Sequence, residues 1–291
     1  MPQTSQASAS RAEDITRPLA PAEVAAVEAA EARAWADCYS AAPAAFQAGA
    51  GIETAWVGGA LLIAWAATGR RYFSRTIGLA VTEPATRATV DAVVDWYDQR
   101  GISMFLLQSL PHCRPAEYEA WLREHGLEPF DRQDRIVRDA QAFDPPPAGD
   151  RDIRVEPVTA SNTEAWSDFL QRIYGLETAG WLPRLIGRRG WHPYVAREDG
   201  EIVAARTMCI GADGHAWLGM DGPVPGLGTQ DYEPDAAICA AIVEDGLRLG
   251  VRRFLADIEA PSDAMDTPAY ANFAALGFTR PYVRTHWARI S

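Results

Sequence analysis

Segments with helical and with strand periodicity alternate along the first half of the chain. The segment from Pro21 to about Cys38 is rich in strong helix formers, and its proline stands at the first helical position, where no N–H is needed. Apolar runs predict strands at about 53–66, 73–82 and 102–108, with a helix at about 85–99. A short helix over AEYEAWLREHG and a strand near 130–138 complete this half.

A proline-rich segment, AFDPPPAGDRD at 142–152, then interrupts the pattern. Three prolines followed by glycine suit neither a helix nor a strand, and they predict a linker between two domains. The elements predicted after it are a strand at 153–157, helices near 160–174 and 179–188, strands between about 192 and 220, a helix at 234–249, a strand at 252–259, a helix at 266–276 and a strand at 278–289. We therefore expect a disordered N-terminus at 1–18, an N-terminal domain at 19–141 and a C-terminal domain at 153–291.

The two halves resemble each other. EPATRATVDAVVDWYDQRGISMFLLQ begins at Glu83, and EPDAAICAAIVEDGLRLGVRRFLADI begins at Glu233. Each segment opens a helix with Glu-Pro, ends it at a glycine (Gly101 or Gly250) and continues into an apolar strand. Because the offset stays close to 150 residues, the sequence predicts an internal duplication of one α/β unit.

Composition and charge narrow the range of partners. The 291 residues carry a formal net charge of −12, which argues against nucleic acid and anionic membranes, since both are bound mainly through Lys and Arg. No apolar run is long enough to span a membrane, and the N-terminus lacks the apolar centre of a signal peptide. We expect a cytoplasmic protein with reduced cysteines, because the four cysteines form no CxxC pair.

The C-terminal segment DTPAYANFAALGFTRPYVRTHW, Asp266 to Trp287, resembles a motif of the GNAT (Gcn5-related N-acetyltransferase) superfamily. Ala269, Gly277 and Phe278 stand where that motif has the same residue types. The segment 191–220 looks like the preceding antiparallel hairpins of the same fold. The resemblance implies an α/β fold with mixed sheets. With the internal repeat, it implies two tandem GNAT-like domains.

The resemblance also implies a cofactor, acetyl-CoA or another acyl-CoA. In the superfamily a glycine-rich loop holds the pyrophosphate at the N-terminus of the helix that matches 234–249, and the candidates in this chain are Gly226, Gly228 and Gln230. The chain departs from the pattern because Glu233 and Asp235 occupy the two small positions. A carboxylate about 4 Å from a phosphate oxygen costs roughly 1 kcal/mol in water and more in a dry site. In one interpretation the acids cap the helix, and the protein's own carboxylates then occupy the anion site. In the other, PGLG at 225–228 supplies the amides a few residues earlier, if the alignment is shifted by one turn.

Candidate catalytic residues lie around the same helix end. Many superfamily members use a tyrosine to protonate the departing thiolate, but this chain has Phe273 at that position. Tyr270 and Tyr282 are nearby in sequence, and Tyr270 is taken as the candidate. Asp257 and Glu259 share one face of a predicted strand, and His215 is a candidate base. In an alternative interpretation, clustered acids form a metal or cation site; its candidates are Asp231, Glu233, Asp235 and Asp263.

The resemblance implies acyl transfer from CoA to an amine of a small-molecule substrate. The alternative is a divergent GNAT-fold enzyme or binding protein that no longer uses acyl-CoA and binds a cationic or metal-containing ligand through an acidic cleft. In either case the N-terminal half can serve as a scaffold without catalysis. A homodimer is compatible with the sequence.

Overall fold

The computed structural model describes residues 16–142, 145, 151–178, 180–222, 232–259 and 261–290. The chain forms two compact units. The N-terminal unit comprises Leu19–Gln133, Gly180–Arg184 and Val283–Ser291, and the C-terminal unit comprises Met1–Pro18, Asp134–Ala179 and Leu185–Tyr282. None of the helices in the described ranges combines the length and hydrophobicity that a membrane span requires.

The N-terminal unit begins with the predicted long helix. Its elements, in chain order, are α1 (Pro21–Ser40), α2 (Ala44–Ala50), β1 (Ile52–Val57), β2 (Ala60–Trp65), β3 (Arg75–Ile77), α3 (Arg87–Asp98), β4 (Leu107–Ser109), α4 (Tyr118–Glu124), the first part of β5 (Leu127–Asp139) and the last part of β11 (Thr279–Arg289). β1, β2 and β3 form an antiparallel sheet. A parallel bridge between Arg75 and Leu106 links β3 to the start of β4, which pairs antiparallel with β11.

The core of the N-terminal unit lies under α3. Its buried side chains include Leu62 on β2, Val90 and Val94 on α3, and Phe105, which stacks on Tyr97 with 4.3 Å between the ring centroids. α3 carries its apolar residues at helical spacing, so that one face is buried and the other is solvated.

The C-terminal unit is built on a larger mixed sheet. Its elements are β6 (Arg154–Pro157), α5 (Thr163–Tyr174), β7 (Trp191–Glu198), β8 (Glu201–Ile210), β9 (His215–Gly222), α6 (Tyr232–Arg248), β10 (Arg253–Ile258), α7 (Pro268–Ala275) and parts of β5 and β11. The strand order is β5-β10-β9-β8-β7-β6. All neighbours pair antiparallel except β9 and β10, which are parallel.

Helix α6 packs on β7 and β8, and α5 packs on β8 and β9. The core under α6 contains Met208, Ile242 and Phe254, together with Phe273 and Phe278 from the C-terminal motif. Gly250 ends the segment after α6 with a φ of 84°, a left-handed conformation that favours glycine, and Val251 N donates to Gly246 O at 2.8 Å. The predicted helix end at Gly250 is therefore a glycine cap.

The two units are not consecutive along the chain. β5 begins in the N-terminal unit and pairs with β10 in the C-terminal unit, whereas β11 begins in the C-terminal unit and pairs with β4 in the N-terminal unit. Much of the predicted linker, residues 143, 144 and 146–150, lies outside the described residues. The division into 19–141 and 153–291 stays a prediction, as does the internal duplication.

Several segments differ from the sequence-based expectation. The stretch at 53–66 is a hairpin that turns at Gly58 and Gly59, and only Arg75–Ile77 is a strand within 73–82. The predicted helix at 179–188 is a short 3₁₀ turn at Leu182–Leu185, because Pro183 removes an N–H and disfavours a longer helix. The short helix α2 was not predicted from its alanine-rich sequence.

Candidate functional site

The strands β9 and β10 separate part-way along their length. They pair only at Arg253↔His215, Phe254↔Ala216 and Leu255↔Trp217, although β9 continues to Gly222 and β10 to Ile258. Beyond Leu255↔Trp217, the two strands leave backbone groups that do not pair with each other. We call the segments 218–222 and 256–258 the β9/β10 opening.

A bulge in β9 coincides with this opening. Ala205 pairs with Gly222 and Thr207 with Gly219, so that one residue of β8 faces two residues of β9, Met220 and Asp221. Met220 has a φ of 49°, which is uncommon for a residue with a side chain. A bulge of this kind bends a strand and redirects its side chains.

Nine residues separate the end of β9 from the start of α6, and the first turn of α6 contains Glu233 and Asp235, the two acids singled out by the sequence. The amides of a helix N-terminus attract anions. The predicted cofactor residues Gly226, Gly228 and Gln230, together with Asp231, lie outside the described residues.

A buried arginine connects the bulge with the first turn of α6. Arg206 on β8 is 4% exposed, and its Nε and Nη2 donate to Asp235 Oδ1 at 3.0 and 2.9 Å. Nη2 also donates to Asp221 Oδ2 at 3.2 Å. Burial raises the pKa of Asp235 although Arg206 acts in the opposite direction, and the pKa of Arg206 lies well above its ordinary value because the two carboxylates outweigh its burial.

Asp257 also faces an arginine. It lies on β10 in the opening, directly opposite Arg135 of β5, and Oδ1 is 3.1 Å from Arg135 Nη1. Arg135 is fully buried and Asp257 is partly buried. Glu259, the other member of the predicted pair, follows the end of β10 and is exposed.

Tyr270 on α7 is buried in a second polar cluster. Its hydroxyl donates to Asp134 Oδ2 at 2.6 Å and accepts from Ser262 N at 3.1 Å, and Arg280 Nη1 donates to the same Asp134 oxygen at 3.0 Å. Burial, followed by the bond to Asp134, raises the pKa of Tyr270 to about 12. Tyr270 therefore keeps its proton at neutral pH.

His215 does not join the other candidates. It is the first residue of β9 and pairs with Arg253, the first residue of β10, whereas the opening lies at the other ends of both strands. The four residues from Arg253 to Asp257 correspond to about 13 Å along a strand. Nδ1 of His215 lies 3.3 Å from Asp213 Oδ2.

Within the described residues the acids have separate surroundings, and the acidic-site alternative, which includes Asp231, stays a prediction. Asp235 is bonded to Arg206, Glu233 lies 4.0 Å from Arg151, and Asp263 is exposed. Within the described ranges, no three His, Cys, Asp or Glu side chains are grouped so that they could hold a metal ion. Arg135 and Arg206, which pair with Asp257 and Asp235, were not predicted as part of the site; their positions on strands β5 and β8 were the available signal.

Phe273, which stands at the position of the superfamily's tyrosine, is a core residue. It is buried, and its ring centroid lies 5.2 Å from that of Phe278. A phenylalanine there packs but transfers no proton.

Comparison with known proteins gives the fold. No family model and no curated protein match the sequence. A GCN5-related N-acetyltransferase from Kribbella flavida is similar in structure, with a TM-score of 0.59, 15% identity and coverage of 90% of this chain and 95% of that chain. A GCN5-related N-acetyltransferase from Sphaerobacter thermophilus has a TM-score of 0.53, 18% identity and 93% coverage of both chains.

A tandem GNAT protein from the clavulanic acid biosynthesis pathway also has a TM-score of 0.53, with 15% identity and coverage of 79% of this chain and 78% of that chain. These similarities extend along most of the chain and are not confined to the C-terminal motif. Together with the mixed sheet, they confirm the prediction from Asp266–Trp287: the chain has the fold of the GNAT superfamily.

Proposed function

We propose that the C-terminal unit transfers an acyl group from an acyl-CoA, such as acetyl-CoA, to an amine of a small molecule. The observation that carries this proposal is the β9/β10 opening with the bulge beside it. Strand edges that do not pair with each other offer backbone donors and acceptors to an extended ligand. The similarity to acetyltransferase structures supports the same general reaction.

The described residues fit this cofactor in two respects. The backbone of 218–222 would hold the thioester end, and the N-terminus of α6 would hold the phosphates, with Gly226, Gly228 and Gln230 as the proposed loop contacts. Asp235 is bonded to Arg206, so this acid has a partner other than the α6 amides that would hold the phosphates. When bound, acyl-CoA supplies an acyl group activated as a thioester.

Among the predicted catalytic residues, Glu259 suits proton transfer best. An amine is protonated at neutral pH and must lose a proton before it can attack. Glu259 is exposed next to the end of β10, whereas Asp257 is paired with the buried Arg135. Tyr270 is bonded to Asp134 and positions the segment at Ser262, so we assign it no proton transfer.

The N-terminal unit is proposed as a scaffold. The segment that follows β3 is hydrogen-bonded to Arg114 of the same unit. Arg114 N donates to Ala80 O at 2.9 Å, and Ala85 N donates to Arg114 O at 2.8 Å. Leu79, Ala80 and Val81 are buried there. The Thr86 side chain caps α3 by accepting from Thr89 N at 3.1 Å, which occupies an amide at that helix N-terminus.

The first experiment is calorimetric titration with acetyl-CoA, combined with hydrogen exchange in its presence and absence. We expect protection of peptides that contain 218–222 and 232–238, and no change at 75–98 in the N-terminal unit. Absence of heat up to millimolar acetyl-CoA, or protection at 75–98 alone, would contradict the proposal.

Glu259→Gln tests the proton-transfer step. With an amine found by screening for thiol release from acetyl-CoA, we expect kcat to fall on the order of 100-fold while the acetyl-CoA Kd stays unchanged. Glu201→Gln is the matched control, because Glu201 is an exposed glutamate at the start of β8 in the same unit. Equal activity of the two variants would remove Glu259 from the mechanism.

A further inference from the structure

The bulge in β9 is held by an ion pair that could not be expected from the sequence alone. Arg206 is the β8 residue that faces the two bulged residues, and it bonds to one of them, Asp221. Tyr174 supports the same residue, because its hydroxyl donates to Asp221 O at 2.5 Å. Side chains from two directions therefore fix the bulge where the strands separate.

The same guanidinium group reaches the helix. Two of its N–H groups converge on one oxygen of Asp235 in the first turn of α6. Because Arg206 is almost completely buried, water competes little for these bonds, and its planar group fixes both partners in direction as well as distance. Arg206 is thus a rigid link between 218–222 and the N-terminus of α6.

We propose that Arg206 is a positioning residue that lets the two ends of one acyl-CoA molecule bind at the same time. This inference rests on the proposed function, in which the thioester end binds at the opening and the phosphate end at α6. When two subsites are held at a fixed separation, binding of one end makes binding of the other intramolecular. When the link is lost, each subsite persists but their joint use becomes less favourable.

The experiment compares the intact cofactor with its two parts. We measure Kd for acetyl-CoA, adenosine 3′,5′-bisphosphate and S-acetylpantetheine with the wild type, Arg206→Met and Arg206→Lys. For Arg206→Met we expect acetyl-CoA to bind about tenfold more weakly, while each part changes by less than about twofold. Lysine should give an intermediate loss for acetyl-CoA, because its ammonium group lacks the planar fork.

Two gentler variants keep the test decisive if Arg206→Met does not fold. Asp235→Asn weakens only the helix side of the link, and Asp221→Asn weakens only the strand side. Each variant should raise the Kd for acetyl-CoA more than the Kd for adenosine 3′,5′-bisphosphate or for S-acetylpantetheine. Arg197→Met is the control, because it breaks a more exposed ion pair with Glu156 in the same unit. Loss of affinity for a single part to the same degree as for acetyl-CoA would overturn the positioning role, as would unchanged affinity for all three.

Hydrogen exchange without ligand separates this inference from the proposed function. In Arg206→Met, peptides containing 218–222 and 232–238 should exchange faster together, whereas Arg197→Met should leave both unchanged. If acetyl-CoA binds the wild type but these peptides do not respond together, the link is wrong and the proposed function stands. If the peptides respond but no acetyl-CoA binds the wild type, the proposed function fails instead.

Discussion

The ion pair between Arg135 and Asp257 gives a prediction in which structural and chemical roles can be separated. Arg135 is 0% exposed on its side chain and Asp257 is 15% exposed, with 3.1 Å between Nη1 and Oδ1. At an effective dielectric constant of about 20, two unit charges at this distance attract by roughly 5 kcal/mol. Part of this is offset because a neutral side chain at position 257 no longer has to be desolvated as a charge.

We therefore expect Asp257→Asn to lower the free energy of unfolding by about 3 kcal/mol, because it leaves a buried guanidinium without its carboxylate. Arg135→Met should cost a similar amount. The double variant Arg135→Met/Asp257→Leu should lie within about 1 kcal/mol of the wild type, since both charges are removed together. Urea unfolding at pH 7 of these proteins and of the single variant Asp257→Leu gives the coupling energy, because Arg135→Met, Asp257→Leu and their double variant complete a cycle with the wild type.

Two outcomes would refute this reasoning. If Asp257→Asn were as stable as the wild type, the pair would not be buried as described. If the double variant lost the sum of the two single losses, the residues would act independently. Activity of the folded double variant then decides whether Asp257 has any chemical role, because its structural role has been replaced.

Three further predictions concern stability. Burial lowers the pKa of His286 well below its ordinary value, so on acidification His286 becomes protonated in the unfolded chain before it does in the folded protein. The contribution of His286 to stability is therefore fully present above pH 6.5, and the free energy of unfolding falls by up to about 1.4 kcal/mol per pH unit below it. His286→Gln should abolish this slope in urea unfolding between pH 7.5 and 5. Gly246→Ala should destabilise by about 1–3 kcal/mol despite the better helix propensity of alanine, because the added Cβ lies 2.4 Å from a Phe254 ring carbon; a rise in Tm would show that the ring can move. Tyr270→Phe should cost about 1–3 kcal/mol through the lost bond to Asp134, with kcat within about threefold; a hundredfold fall in kcat at unchanged stability would restore Tyr270 as a catalytic residue.

The sequence predicted the fold through local patterns and one longer motif. Helix α1 follows from its composition and its first-turn proline, and the glycine at 250 marks the end of a helical segment because a left-handed residue is needed there. The passage of β5 and β11 from one unit to the other could not be predicted, because the alternation of apolar and polar residues along β5 identifies its faces but not the neighbouring strand. For the same reason, β10 was predicted as a strand, but its neighbours β5 and β9 were not predicted.

The candidate site was predicted in part. Glu233 and Asp235 were placed correctly in a first helical turn, and Asp257 and Glu259 at the end of a strand. Their interactions were not, because Arg206 lies 29 residues from Asp235, and Arg135 comes from a different predicted domain. Charge counted along a sequence does not reveal which charges are neutralised in space.

This neutralisation bears on how an acidic protein can bind a phosphate-containing cofactor. Arg206 already donates to the carboxylates of Asp235 and Asp221 and is therefore not poised to bind a phosphate as well. Phosphate affinity in the proposed site must then come mainly from backbone N–H groups at the helix N-terminus. Removal of Arg206 should therefore leave the affinity for adenosine 3′,5′-bisphosphate almost unchanged while lowering the affinity for acetyl-CoA. If Arg206 instead contacted a phosphate directly, its removal would lower both affinities equally.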